Sequence, residues 1–185
     1  MTNDTLATRE HPKHSPAAAT AVDAVEIHLT KGYYALVDRA DFELIGGLKW
    51  TATEAHNRKS GQVERVYAIR QFLFPDGSKR NVLLHRYLMG DPPEDIDHRS
   101  GDTLDNRRSN LRTSTRSENN ANARKRHGCS SARKGVYFHR QMGCWCAQIA
   151  KDGKSKHLGL FATEEAASGA YAASARQLYG EFARP

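Results

Sequence analysis

The stretch IDHRSGDTLDNRRSNLRTSTRSENN, residues 96–120, decides how this chain is read. From Asp95 to Arg126 bulky apolar side chains are few, while Asp, Asn, Arg and Ser are many. A polar segment of that kind inside a folded chain is either disordered or held together by side-chain hydrogen bonds and a metal ion. Its second half argues for order: Thr115-Arg-Ser-Glu118 matches a capping box and opens a predicted helix running to Ala123. Asp97-His98 ends a predicted strand and Asn119 falls in the first helical turn, so a strand, a loop, a strand and a helix N-terminus meet at one point. Neighbouring strand residues face opposite ways, so Asp97 and His98 share a site only if the strand ends or twists there.

Upstream, residues 1–24 have neither period nor bulky apolar groups and read as a disordered tail. Val25, Ile27 and Leu29 alternate as a strand, a Lys31-Gly32 turn follows, and Tyr34 to Val37 makes a second strand. Asp38 is placed to cap a short helix with Phe42, Ile45 and Leu48 on one face, which Gly46-Gly47 ends. Trp50 anchors a further strand, and Val66 to Phe74 forms one arm of a hairpin through Pro75-Asp-Gly77 that returns as Val82-Leu83-Leu84.

Downstream, residues 124–133 read as a basic linker, and the last fifty residues regain a clean pattern. Val136, Phe138, Trp145, Ala147, Ile149, Leu158 and Leu160 alternate with polar neighbours as three strands, with Asp152-Gly153 as a hairpin turn. Thr163 caps a final helix that Gly180 stops, its inner face being Ala166, Ala167, Ala170, Tyr171 and Leu178. The fold class is α+β.

The 185 residues carry 28 Lys and Arg against 21 Asp and Glu, a net charge of +7. Residues 25–123 hold 15 basic and 14 acidic groups, and residues 124–185 hold 11 and 4, so the excess is C-terminal. A neutral front and a basic back read as a catalytic or structural module joined to one that binds a polyanion. No apolar run approaches the roughly 18 residues of a membrane span, which excludes a spanning protein, and no membrane partner is expected. Three cysteines, two of them in Cys144-Trp145-Cys146, form no even disulfide framework and no C-x-x-C pair; with no secretion signal, the expected location is the cytoplasm, of a bacterium or a phage-infected host cell.

Across roughly residues 27–122 the sequence resembles the HNH endonucleases, in particular the homing branch of phages and mobile introns. LHRYLMG, then the quoted polar stretch with its Gly-Asp-x-Leu-Asp-Asn turn, and LTKGYYALVD upstream carry the likeness. The resemblance implies a ββα-metal nuclease over residues 25–123. It makes His98 the general base that activates water and Asp97 and Asn119 the ligands of one divalent ion, Mg²⁺ or Mn²⁺. Asn110 becomes the residue that braces the loop and orients His98. These types suit the task, because phosphodiester hydrolysis needs a positioned water, a near-neutral base and a cation against developing charge. His85 recurs in the likeness, and a packing or orienting role is favoured for it over a catalytic one. Arg112 and Arg116, with Arg99, Arg107 and Arg108, are candidates to hold phosphates, each equally readable as a surface charge.

Residues 134–183 resemble the Apetala-two/ERF DNA-binding domain of plant transcription factors, which also occurs attached to phage and bacterial HNH nucleases. Gly135-Val136, Trp145-x-Ala147-x-Ile149, Leu158-Gly159-x-Phe161, Thr163 to Ala167, Ala170-Tyr171 and Gly180 to Ala183 carry it. In that family the exposed sheet face enters the major groove. The alternation then points Tyr137, His139, Gln148 and His157 outward, bordered by Lys134, Arg140, Lys151 and Lys154. Tyr137, Cys144 and His157 stand where the plant pattern has arginine or tryptophan, which implies a different target sequence. The whole reads as a metal-dependent endonuclease acting on double-stranded DNA as a monomer, with no small-molecule cofactor. The competing class is a non-catalytic DNA-binding regulator or a decayed mobile-element protein.

Overall fold

The computed structural model describes residues 23–45, 47–58, 60–125 and 130–184. The expected tail up to residue 22, Gly46, and residues 126–129 of the expected linker lie outside them. The described chain is mixed α and β, with four small sheets and four α-helices. It divides into two units, one comprising the chain up to Asp91 with Asp102–Leu111, the other Pro92–Gly101 with the chain from Arg112 onward. Among the described residues no helix is long and apolar enough to cross a membrane.

In the first unit β1 (Ala24–His28) and β2 (Tyr34–Asp38) form an antiparallel pair, as their alternation predicts. Ala35, Leu36 and Val37 are all fully buried, because β2 is covered on both sides. Its far edge is taken by the polar loop: the Leu36 amide donates to the Leu104 carbonyl at 2.8 Å and the Asn106 amide to the Leu36 carbonyl at 2.7 Å. Helix α1 (Arg39–Leu44) corrects the expected face, since Phe42 is exposed while Asp41 and Ile45 are buried. Asp41 is inside because it receives the Arg108 guanidinium at 2.8 Å, and Asp38 accepts from the Arg108 amide instead of capping the helix. Then β3 (Thr51–His56), β4 (Val63–Leu73) and β5 (Lys79–Leu83) make a sheet in that order. Leu84 opens the short helix α2 (Leu84–Leu88) instead of extending β5. Trp50, buried to 1%, meets the rings of Phe72 and Tyr87 edge-on within a core that includes Ile27, Val37, Ile45, Val66, Leu84 and Leu104.

β6 (Asp95–His98) and β7 (Leu111–Ser114), which belong to the second unit apart from Leu111, pair as a two-stranded sheet, followed by α3 (Arg116–Asn122). The chain then forms β8 (Val136–His139), β9 (Cys144–Lys151) and β10 (Lys154–Phe161), with β9 in the centre, and the helix α4 (Glu164–Tyr179). Asp152 and Gly153, at φ 51° and 78°, supply the two left-handed residues that a tight hairpin requires. The buried stripe of α4 is Ala167, Tyr171, Ala175 and Tyr179, four residues apart each time; Ala166, expected inside, is exposed. A register shift between His157 and Gly159 also corrects the sheet: Leu158 and Phe161 pack on the core, while Leu160 pairs with Cys146 on the outer face and stays 48% exposed. One inserted residue reverses the facing of everything after it.

Gly135 shows how tightly α4 lies on this sheet. Its φ is +68°, and a Cβ there would sit 2.1 Å from the Tyr171 ring and 2.5 Å from the Gln148 carbonyl oxygen. Left-handed strain and overpacking add, so Gly135→Ala is expected to cost about 3 kcal/mol or more. Gly143→Ala, at φ +62° with nothing within 4 Å, is expected to cost only about 1 kcal/mol. Thermal melts of the two variants check this, and equal melting temperatures would contradict it.

Candidate active site

The end of β6 carries Asp97 and His98, both about 5% exposed. An isolated buried carboxylate is costly, and here two neighbours compensate it. From β7, Arg112 places Nε at 2.9 Å and Nη2 at 2.7 Å from Asp97 Oδ2. From the last turn of α3, Asn122 Nδ2 reaches Asp97 Oδ1 at 2.9 Å and Oδ2 at 3.0 Å, and the His98 carbonyl at 2.8 Å. The strand stops there, and the Gly101 amide closes a turn onto the same carbonyl at 2.8 Å.

The register of α3 is set by the expected capping box. The Glu118 amide donates to Thr115 Oγ1 at 3.2 Å, and the Thr115 amide donates back to the Glu118 carboxylate at 2.8 Å. These bonds from the Thr115 amide and hydroxyl hold the Glu118 carboxyl below its usual range. Asn119 is therefore fixed in the first turns, three residues before Asn122. Residues three apart share a helix face, so Asn119 stands one turn along from the amide that grips Asp97. Its side chain is half-buried, and among the described residues no hydrogen bond engages it.

Arg112 is itself held from the far end of the chain. Its Nη1 donates to the Glu181 carbonyl at 3.1 Å, and its guanidinium lies 3.6 Å over the Phe182 ring. Arg99 pairs with the Glu181 carboxylate, and Arg184 Nη2 donates to the Ser100 carbonyl at 2.6 Å. Residues 181–184 thus clasp the turn that follows His98.

The first unit holds the remaining residues of the polar stretch. Asn110, 7% exposed, donates from Nδ2 to the Asp105 carbonyl at 2.7 Å and from its amide to the Arg107 carbonyl at 2.9 Å, closing the loop on itself. Arg107 pairs with Asp105 at 2.7 Å, Asn106 Nδ2 donates to the Leu104 carbonyl, and Thr103 Oγ1 to the Val66 carbonyl. Side-chain hydrogen bonds and ion pairs order this segment. His85, on α2, is buried with its ring 5.9 Å from that of Tyr67. Of the arginines read as phosphate candidates, Arg107, Arg108 and Arg112 are turned onto carboxylates inside the fold, while Arg116, 3.4 Å from Asp95, keeps 85% of its side chain exposed.

On the three-stranded sheet, the pairings Tyr137 with Cys146, His139 with Cys144, and His157 with Gln148 put these residues on one outer face. Gln148, His157, Arg140, Lys151 and Lys154 are exposed, and Tyr137 and His139 half-buried. Cys144 and Cys146 are free thiols. Lys134 goes elsewhere: its Nζ donates to the carbonyls of Asn120, Ala121 and Ala123 at the end of α3.

Residues 82–121, which include β6, β7 and nearly all of α3, match the family model of the HNH endonucleases. A protein of Acanthamoeba polyphaga mimivirus described as an uncharacterized HNH endonuclease is 30% identical over 162 residues, covering 84% of this chain and 75% of that protein. This chain belongs to the HNH endonuclease family. No solved structure matches it.

An HNH endonuclease is a nuclease that acts on DNA, and members of the family generally use a divalent metal ion. Among the described residues of this one, no group of three or more His, Cys, Asp or Glu side chains is arranged to hold a metal. Asp97 and Asn119 carry carboxylate and amide oxygens, the hard donors that Mg²⁺ and Mn²⁺ prefer. Asp97 Oδ2 accepts three bonds but Oδ1 only the one from Asn122, leaving Oδ1 a lone pair. Asn122 escaped the sequence reading, although its spacing from Asn119 carried the signal. The clasp by residues 181–184 had no local signal at all.

Proposed function

We propose that this HNH endonuclease hydrolyses DNA phosphodiesters with β6, β7 and α3 as a ββα-metal module, in the manner of the homing enzymes of mobile elements. One observation carries the reading: the Asn122 amide ties both Asp97 and His98 to the helix face that bears Asn119. Asp97 and Asn119 would hold one divalent ion, Mg²⁺ or Mn²⁺, which would supply positive charge against that developing during phosphodiester hydrolysis. His98 takes the proton of the attacking water; a new P–O bond forms, the bond to the 3′ oxygen breaks, that oxygen takes a proton from solvent water, and the products are a 3′-hydroxyl and a 5′-phosphate. Arg112 and Asn122 position Asp97, and Asn110 holds the 105–110 loop in shape.

The C-terminal sheet supplies the targeting, as an Apetala-two/ERF-like module whose outer face (Tyr137, His139, Gln148 and His157, flanked by Arg140, Lys151 and Lys154) enters the major groove. Supercoiled plasmid incubated with the purified full chain and Mg²⁺ is expected to be nicked, and EDTA to stop the reaction; equal nicking in EDTA would overturn the metal assignment. Gln148→Ala with His157→Ala is expected to weaken a DNA gel shift by tenfold or more, each base contact being worth about 1–3 kcal/mol. An unaltered shift would remove the sheet from the binding surface.

A further inference from the structure

Where the end of α3, the entry to β8 and α4 come together, the second unit has an open pocket of about 550 Å³. That is roughly eighteen times the ~30 Å³ share of one water in the liquid, room for a solvated chain rather than one ion. Arg124, Lys125, Arg133, Lys134 and Arg184 line it together with Ser168, and among the described residues no acidic side chain does. Ser168 follows Ala167, which is fully buried against the sheet, so the pocket lies on the helix side, away from Tyr137, Gln148 and His157.

These cations are committed to different degrees. Lys134 is anchored on the α3 carbonyls, Arg133 lies 3.3 Å from Glu165, and Arg184 is tied to the Ser100 carbonyl. Arg124 and Lys125 are bonded to no partner among the described residues. Burial first, and then the charges of Arg184 and Lys125, push the Lys134 ammonium down to about 8. Five cations drawn together repel one another, and an entering polyanion relieves that repulsion while releasing its own counterions.

We propose that this pocket grips the phosphate backbone of DNA, as a second contact surface separate from the outer face of the sheet. It rests on DNA being the substrate. Fluorescence anisotropy of a labelled duplex with the full chain, over 50–200 mM NaCl and without divalent ions, tests it. Arg124→Ala with Lys125→Ala removes two unanchored cations and leaves the α3 cap intact. The slope of log K against log salt is expected to become shallower by about 1.8, two phosphates at ~0.9 each, and Kd to weaken by about tenfold or more. A slope equal to wild type overturns the pocket, and so does an equal change from Lys49→Ala with Lys79→Ala, which alters net charge alone. Wild type failing to bind the duplex overturns the pocket and the sheet reading together; a normal slope in the pocket variant leaves the sheet reading standing.

Discussion

His98→Ala is expected to lower the single-turnover nicking rate by about 10²–10⁴-fold, the usual contribution of a positioned general base. His98 is the last residue of β6, and its carbonyl is pinned by Asn122 and Gly101, so the backbone that aims the imidazole is fixed before substrate arrives. Alanine preserves those backbone bonds and removes only the ring. The variant should therefore bind DNA as wild type does and melt cooperatively. A variant that nicks at the wild-type rate would show that another group takes the proton.

Arg112→Ala is expected to be the most destabilising change in the second unit. It strands the buried Asp97 carboxylate without its charge partner, a loss of about 3–5 kcal/mol in comparable buried pairs, and it removes the stack on Phe182. At about 2–4 °C per kcal/mol for a chain of this size, the melting temperature falls by roughly 6–20 °C. Arg112→Lys should rescue little, since one ammonium cannot reproduce the paired bonds to Oδ2 and the planar stack. A melt within a degree of wild type would contradict the role given to the pair. The same geometry bears on truncation. Deleting residues 127–185 would remove Glu181 and Phe182 as well as the sheet, so it would unsettle Asp97 and could not isolate a nuclease from its binding module.

What could be read from the sequence was whatever local pattern specifies. The Thr115–Glu118 capping box, the Asp152-Gly153 turn and the alternation through Val25 and Ile27 each depend on residues within a few positions, and all appear in the structure. The misreadings are long-range. Asp41 is buried because Arg108, 67 residues later, meets it, and Arg112 is held by Glu181, 69 residues later. No periodicity encodes either pairing. The outward turn of Leu160 follows from one inserted residue at Leu158, which shifts the facing without altering composition. At the site, Asp97, His98 and Asn119 were legible as residue types in a family spacing, whereas the partners that hold Asp97 come from separate elements.

The most direct test of the account is single-turnover cleavage of a labelled duplex by the full chain across a Mg²⁺ titration, comparing wild type with Asn119→Ala. Wild type should saturate with Mg²⁺ and produce 5′-phosphate ends. The variant should need at least tenfold more metal for half its maximal rate, as removal of a metal-positioning group does. Cleavage that ignores Mg²⁺, or the same Mg²⁺ dependence in both proteins, would contradict a metal-dependent cut made at Asp97, His98 and Asn119.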